Sequence, residues 1–114
     1  MWFVFPQIQG LGNSATARRF ALSGIAEAAA YAAHEDLGVR LYEASEAMLE
    51  WAGTMSANDI LGPVDAMKFR SSMTLFEAAC EDDQVFADAL DGFYDGNRCE
   101  RTLKKLGQDG KVSA

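Results

Sequence analysis

One stretch of the chain decides the fold: PVDAMKFRSSMTLFEAACE, residues 63–81. Its opening proline suits the first turn of a helix, where the missing N–H would have no partner. When the stretch is projected as a helix, two apolar groups fall on roughly opposite faces. The first group is Phe69, Met73, Phe76 and Cys80, and the second is Val64, Met67, Leu75 and Ala78. We therefore predict a central helix that is buried on two sides.

Polar side chains lie between these two apolar faces. Asp65, Lys68 and Ser72 share one side of the helix, and Arg70, Thr74 and Glu77 share the other. A half-covered charge needs a partner, because an unpaired buried charge is costly. Arg70 either pairs with Glu77 or another carboxylate to satisfy packing, or it faces a ligand.

Helical spacing also extends to both sides of the central stretch, and strand-like alternation is not sustained anywhere. The pattern predicts further helices over residues 15–22, 25–34, 37–53, 56–60, 82–94 and 98–106. With 114 residues and 49% hydrophobic content, the chain has enough material for one core. We predict an all-α fold, a compact single-domain bundle of about five to seven helices around the helix over residues 63–81. The domain is expected to cover residues 1–106, with a flexible C-terminal tail over 107–114.

The chain begins with an aromatic run, Trp2-Phe3-Val4-Phe5-Pro6. Each aromatic side chain buries roughly 150–250 Å² in a folded protein, so something must cover this run. A signal peptide is a poor interpretation, because no Lys or Arg precedes the apolar residues and the proline ends them early. We expect the run to belong to a core whose preceding element is absent from this chain. The alternative is a partner-binding surface, which predicts a homodimer through this aromatic N-terminus.

The net charge of −7 argues against binding to nucleic acid or to anionic membranes, which depend on clustered Lys and Arg. No apolar stretch approaches the length of a membrane span, about 18 residues. Cys80 and Cys99 belong to no CxxC pair, so they are interpreted as small buried side chains in a reducing cytoplasm, which is the predicted location of this acidic protein. Glu43, Glu46 and Glu50 share one helix face, but His34 is the single histidine. We predict a solvated acidic face, with no metal and no cofactor.

The common catalytic and nucleotide-binding motifs are missing from the sequence. The functional candidate that remains is the cluster of Lys, Arg, Ser and Thr in the central stretch. We predict a non-catalytic binding module for a small anionic ligand or a protein partner. Arginine would supply a bidentate donor and tryptophan a flat apolar wall. The candidate ligand-binding residues are Trp2, Gln7, Arg19, Lys68, Arg70 and Ser72.

The alternative function is a small hydrolase or transferase that uses Ser71, Ser72 or His34. A serine in the middle of a helix lacks the strained turn and the adjacent base that make its hydroxyl nucleophilic. The histidine lies just after an alanine-rich helix and is interpreted as a helix-terminus residue. Contact between this histidine and either serine at the floor of a cleft would favour the enzyme.

Several segments together resemble the domain of unknown function 1810 family of bacterial proteins, some of which are labelled calpastatin. The segments are MWFVFPQIQGLG (1–12), AYAAHEDLGVRL (30–41), KFRSSMTLF (68–76) and RTLKKL (101–106), so the resemblance covers residues 1 to about 106. It implies an all-helical fold and no established activity. It also implies a helical segment of some thirty to forty residues ahead of the MWFVFPQ motif, which raises the possibility that this chain is truncated at its start.

The calpastatin label does not fit the composition. Calpastatin's inhibitory segments are disordered and fold on their protease, whereas this chain has two prolines, 49% hydrophobic residues and clear helical periodicity. We therefore discard the label.

Overall fold

The structure, a computed structural model, describes residues 5, 6, 22 and 24–110, with side chains through residue 107. Six helices lie in this part of the chain: α1 (Ile25–Ala33), α2 (Leu37–Leu49), α3 (Ala57–Leu61), α4 (Pro63–Ala79), α5 (Gln84–Tyr94) and α6 (Glu100–Gly110). The same residues contain no strand. The predicted all-α bundle is confirmed. The helix predicted over residues 15–22 falls outside the described residues, apart from Leu22.

Helix α4 lies at the centre of the bundle and contacts α1, α3, α5 and α6. Its first apolar face is buried as predicted, with Phe69, Met73 and Phe76 fully covered. The prediction for the opposite face is wrong for all but Leu75. Val64 and Met67 are 65% and 67% exposed, and Ala78 is also exposed. Periodicity shows which side chains are apolar but not whether a neighbour covers them, and none of the six described helices covers the start of α4 on that side.

Aromatic rings join the centre of α4 to the rest of the core. The Phe69 ring lies 4.7 Å from the Phe5 ring and 6.0 Å from the Phe93 ring, both in edge-to-face geometry. Phe5 is itself buried, so this member of the aromatic run is covered within the chain. Trp2 and Phe3 lie outside the described residues, and a homodimer through them stays a prediction.

Caps and turns define several helix ends. Ser56 and Asp59 form a capping box at the start of α3, and Gly62, with φ of 86°, separates α3 from Pro63 at the start of α4. Other ends differ from the prediction. Helix α2 ends at Leu49 rather than near residue 53, and α6 continues to Gly110 instead of stopping at Gly107. A glycine inside a helix costs only about 1 kcal/mol, which the flanking residues can offset.

The connection between α1 and α2 is short and closely packed. His34 follows the last residue of α1, as predicted for a helix-terminus residue, but its Nδ1 accepts the backbone N–H groups of Asp36 and Leu37, both at 3.1 Å. The imidazole therefore caps the next helix. Four residues later the chain is so close to α1 that a Cβ on Gly38 would lie 2.0 Å from the Ala32 carbonyl oxygen. None of the described helices has the length and apolar character needed to cross a bilayer.

Candidate functional site: a cationic pocket between α4 and α6

The residues that lead into α6 are fastened to α4 by an arginine. Arg70 donates from Nε to the Asn97 carbonyl at 2.7 Å and from Nη2 to the Arg98 carbonyl at 3.0 Å. Its guanidinium also lies 5.6 Å from the centre of the Tyr94 ring. The predicted alternative of an Arg70–Glu77 pair is wrong. Glu77 instead accepts two hydrogen bonds from Arg98, at 2.9 and 2.5 Å, because the turn before α6 places this second guanidinium closer.

A threonine on α4 fixes the backbone at the next residue. The Cys99 N–H donates to Thr74 Oγ1 at 3.0 Å, and the same hydroxyl donates to the Arg70 carbonyl at 2.8 Å. Both polar contacts are made inside the protein, since Thr74 is buried. The position of Cys99 relative to α4 is therefore set by hydrogen bonds as well as by packing.

Cys99 occupies the N-cap position of α6. The helix begins at Glu100, and the Cys99 carbonyl accepts the first helical hydrogen bond from the Leu103 N–H at 3.1 Å. The half-buried thiol accepts a hydrogen bond from the Ser71 hydroxyl on α4, with Oγ and Sγ 3.2 Å apart. The sulfur thus lies where the first N–H groups of a helix converge.

The surroundings of this sulfur change its acidity. Burial alone raises the pKa of the Cys99 thiol, but the hydrogen bond from the Ser71 hydroxyl and the nearby Thr102 side chain oppose that effect. The backbone N–H groups of Thr102 and Arg101 act in the same direction, and the net result is a pKa below the usual value. The cause is the set of donors that stabilise a negative sulfur.

A pocket of about 230 Å³ opens between α4 and the start of α6. Its lining residues are Val64, Met67, Lys68, Arg70, Ser71, Cys99 and Arg101. Three of them carry a positive charge, and none of these described lining residues carries a carboxylate. The exposed side chains of Val64 and Met67 form an apolar wall on the same helix as Lys68 and next to it. The pocket is therefore locally cationic in a chain whose net charge is −7.

The structure places the predicted ligand-binding residues in different surroundings. Lys68 and Arg70 line the pocket, whereas Ser72 does not: it is fully buried, and its hydroxyl has no hydrogen-bond partner. Helical spacing places Ser72 about 100° from Ser71, which explains why adjacent serines have different surroundings. The remaining three candidates, Trp2, Gln7 and Arg19, lie outside the described residues.

Sequence reasoning missed Cys99 and the apolar wall. The sequence pattern predicts that Cys99 is a buried residue inside a helix that begins at Arg98, whereas the helix begins two residues later, at Glu100. The signal that could have revealed the thiol is its place one residue before Glu100, an acidic first residue that commonly follows an N-cap. Val64 and Met67 were missed because their apolar character was assigned to the core.

The arrangement expected of a serine hydrolase or transferase is not formed by the described residues. The His34 imidazole accepts backbone N–H groups at the start of α2 and is exposed. Ser71 donates to Cys99, and the Ser72 hydroxyl has no partner, so neither hydroxyl is bonded to the histidine. The enzyme alternative therefore lacks contact between nucleophile and base.

A second hollow, lined in part by Ala79 at the end of α4, has the opposite charge. It is lined by Cys80 together with Glu81 and Asp82, and the Tyr42 hydroxyl donates to the Asp82 carbonyl at 2.9 Å. Burial raises the pKa of Cys80, and the carboxylates of Asp83 and Asp82 raise it further, whereas a hydrogen bond with Tyr42 lowers it.

Elsewhere, the side chains of Glu43, Glu46 and Glu50 are exposed, as predicted for a solvated face. Residues 24–107 contain no cluster of three or more His, Cys, Asp and Glu that could hold a metal ion.

The fold and the pocket together define a small all-α protein with one cationic, thiol-containing pocket in its described part. This chain belongs to the DUF1810 family of proteins of unknown function, whose sequence profile matches residues 1–106. The resemblance of the four sequence segments is thereby confirmed. Among solved structures, the chain is similar to the conserved hypothetical protein Rv1873 from Mycobacterium tuberculosis, with 42% identity, a TM-score of 0.89, and coverage of 93% of this chain and 75% of that one. No curated protein matches the chain significantly.

Proposed function

We propose that this protein is a non-catalytic binding module for a small organic anion, which binds in the pocket between α4 and α6. The observation that carries the proposal is the charge of the lining: Lys68, Arg70 and Arg101 contribute positive charge, and no described lining residue opposes it. Acidic residues outnumber basic ones by 17 to 10 in the whole chain, so three cations and no carboxylate among the described lining residues are a marked local departure.

The size and the apolar wall restrict the ligand. A pocket of about 230 Å³ lies below the roughly 300–1,000 Å³ of pockets that hold drug-sized molecules. Val64 and Met67 offer apolar surface beside the cations, so the ligand is expected to combine a carboxylate or phosphate group with a short apolar portion. The wall and the charged groups would contact different ends of the same molecule.

The three cations have different roles in this proposal. Arg70 already donates to two backbone carbonyls, so it supports the pocket wall and supplies long-range charge. Lys68 and Arg101 line the pocket from α4 and α6, and they are proposed to contact the anionic group, by a point charge and by a planar fork respectively, in addition to the contacts that they make within the protein. Ser72 is fully buried and does not line the pocket, so we propose no direct ligand contact for it. Trp2, Gln7 and Arg19 remain predicted additional contacts.

Charge reversal at the pocket tests the proposal. Wild type is first screened by thermal shift against nucleotides and small acidic metabolites, and hits are measured by titration calorimetry. Lys68→Glu and Arg101→Glu are each expected to weaken the affinity at least about tenfold, since a hydrogen bond to a charged group contributes roughly 1.5–3 kcal/mol. Lys104→Glu makes the same charge change on an exposed residue of α6 outside the lining and should leave the affinity within about threefold, since it alters only screened, longer-range charge.

Two outcomes would contradict the binding module. One is a wild-type protein that no anion stabilises or binds. The other is an equal loss of affinity in Lys104→Glu and in the pocket variants, because this would show a response to net charge rather than to the pocket.

A further inference from the structure

The pocket between α4 and α6 contains a nucleophile as well as cations, since the Cys99 sulfur is part of its lining. We infer that Cys99 is a thiol–disulfide exchange site for small anionic disulfides, and that the mixed disulfide holds the anionic group against Lys68 and Arg101. This inference rests on the proposed function and deepens it, because it names the class of molecule that the pocket takes and a covalent step there.

The first support is the ring of donors around the sulfur. The Ser71 hydroxyl on α4 is 3.2 Å from Cys99 Sγ, and the backbone N–H groups of Arg101 and Thr102 approach it from the start of α6. These donors come from two different helices that are tied together by Thr74 and Arg70. Donors held in this way favour a negatively charged sulfur, the form that attacks disulfides.

The second support is a buried hydroxyl that lacks a partner. Thr102 is completely buried, and its Oγ1 meets no acceptor with full hydrogen-bond geometry. It nevertheless lies close enough to Cys99 to lower the pKa of the thiol. A buried donor without an acceptor is costly, and a thiolate accepts hydrogen bonds far better than a thiol does. Ionisation of Cys99 would therefore offer this hydroxyl a better acceptor than the neutral thiol does.

The third support is the sign of the charge around each cysteine. Lys68, Arg70 and Arg101 surround the pocket of Cys99, whereas Glu81 and Asp82 surround that of Cys80. An anionic disulfide should be attracted to the first thiol and repelled by the second. The same cations stabilise the departing anionic thiolate.

The exchange step is balanced without any further reactant. The Cys99 thiol loses its proton to solvent, and its sulfur attacks one sulfur of the small disulfide. A new S–S bond forms while the original S–S bond breaks, and the other half leaves as a thiolate. Cys99 is oxidised to the mixed disulfide, and the departing half of the disulfide is reduced.

The test compares two thiols of one protein with two disulfides of opposite charge. Reduced wild type is treated near neutral pH, at low salt, with either dithiobis-nitrobenzoate, which is dianionic, or cystamine, which is dicationic. Peptide mapping by mass spectrometry follows each cysteine over time. With the anionic disulfide, Cys99 should react at least about tenfold faster than Cys80, and cystamine should reduce or reverse this preference. Denatured protein, in which both thiols are equally accessible, supplies the reference rates.

Variants assign the preference to the pocket. Lys68→Glu should slow the reaction of Cys99 with dithiobis-nitrobenzoate several-fold and accelerate its reaction with cystamine, whereas Lys104→Glu should change neither rate appreciably. Ser71→Ala should slow the reaction of Cys99 with both disulfides, because the substitution removes a hydrogen-bond donor to the thiolate and leaves the charge of the pocket unchanged. Circular dichroism establishes that each variant is folded, and the wild-type comparison stands without any of them.

Three results separate this inference from the proposed function. Equal rates at the two cysteines, or the same preference with both disulfides, would overturn the exchange site. If such rates accompany reversible anion binding in wild type and in Cys99→Ser, the binding module stands and the covalent step is wrong. Fast, charge-selective modification of Cys99 without reversible anion binding would support the exchange site and contradict the binding module.

Discussion

Thr74 shows how single polar residues position the pocket. Its hydroxyl accepts the Cys99 N–H and donates to the Arg70 carbonyl, at 3.0 and 2.8 Å. Thr74→Val keeps the shape of the side chain and removes both hydrogen bonds, leaving a backbone N–H without its partner. We expect a loss of about 1–3 kcal/mol in the free energy of unfolding, measured by urea denaturation.

The control for this prediction is Thr74→Ser, which retains the hydroxyl and should lose clearly less stability. A valine variant as stable as wild type would show that the hydrogen bonds to Thr74 contribute little.

The two cysteines provide a second prediction at the scale of single residues, with iodoacetamide as an uncharged probe. The rate of alkylation should rise with pH around a midpoint that lies at a lower pH for Cys99 than for Cys80, because the surroundings lower the pKa of the first thiol and raise that of the second. Peptide mapping across a pH series measures both midpoints in one sample. Coincident midpoints, or the reverse order, would contradict the assignment.

The acidity of Cys99 also has a consequence for stability. Because folding lowers its pKa, the ionised sulfur stabilises the native state. This contribution is present above the ordinary thiol pKa, about 8.5, and is lost as pH falls through the lower native-state value. The stability of wild type relative to Cys99→Ser should therefore increase from acidic to alkaline pH in urea denaturation. A difference that is independent of pH would contradict this.

At the scale of the helices, substitution of two glycines by alanine should change the stability of the fold in opposite directions. A Cβ on Gly38 would lie 2.0 Å from the Ala32 carbonyl oxygen, whereas a Cβ on Gly107 meets nothing within 4 Å. Gly38→Ala must push α1 and α2 apart and should destabilise the fold by at least about 1–3 kcal/mol. Gly107→Ala should stabilise it by up to about 1 kcal/mol, because alanine favours the helical backbone. Thermal and urea unfolding of both variants measure the difference, and a neutral Gly38→Ala would contradict the close approach.

Local signals in the sequence explain which elements could be predicted. The capping box of Ser56, the Gly62-Pro63 pair and the turn at Asp95 and Gly96 act through neighbouring residues, so their positions are readable from the chain. The exposed start of the second face of α4 is different. Whether Val64 and Met67 are buried depends on where α6 packs against α4. That position is a property of the whole fold and cannot be read from the α4 sequence.

The same distinction applies to the candidate site. The basic cluster of Lys68 and Arg70, which the structure places in the pocket lining, is visible in the sequence because basic residues on an apolar helix are unusual within the stretch itself. The partners of Arg70 could not be predicted, since they are backbone carbonyls 27 and 28 residues away. Cys99 was missed for a related reason: its sulfur gains significance from Ser71, which reaches it from another helix across 28 residues.

At the scale of the whole molecule, Phe5 connects the start of the chain to the centre of the bundle. It is buried against Phe69, whose ring also faces Phe93. Phe5→Ala should cost about 3–5 kcal/mol, as for other buried Phe→Ala changes, and could abolish cooperative unfolding altogether. Val39→Ala, at a half-exposed position on α2, should stay within about 0.5 kcal/mol of wild type in the same urea titration. A small effect of Phe5→Ala would show that the N-terminal residues are not integral to the fold.

The polar fastening of the turn before α6 has one further consequence. Arg70 and the Glu77–Arg98 pair hold this end of the helix through partly exposed contacts that water can replace, so its local opening should require less free energy than opening of the aromatic core. A molecule that touches both pocket walls would bridge α4 and α6 and oppose that opening. Deuterium uptake at the amides of residues 97–103 should then become slower when such a ligand is bound in the pocket, while uptake in α2 stays unchanged.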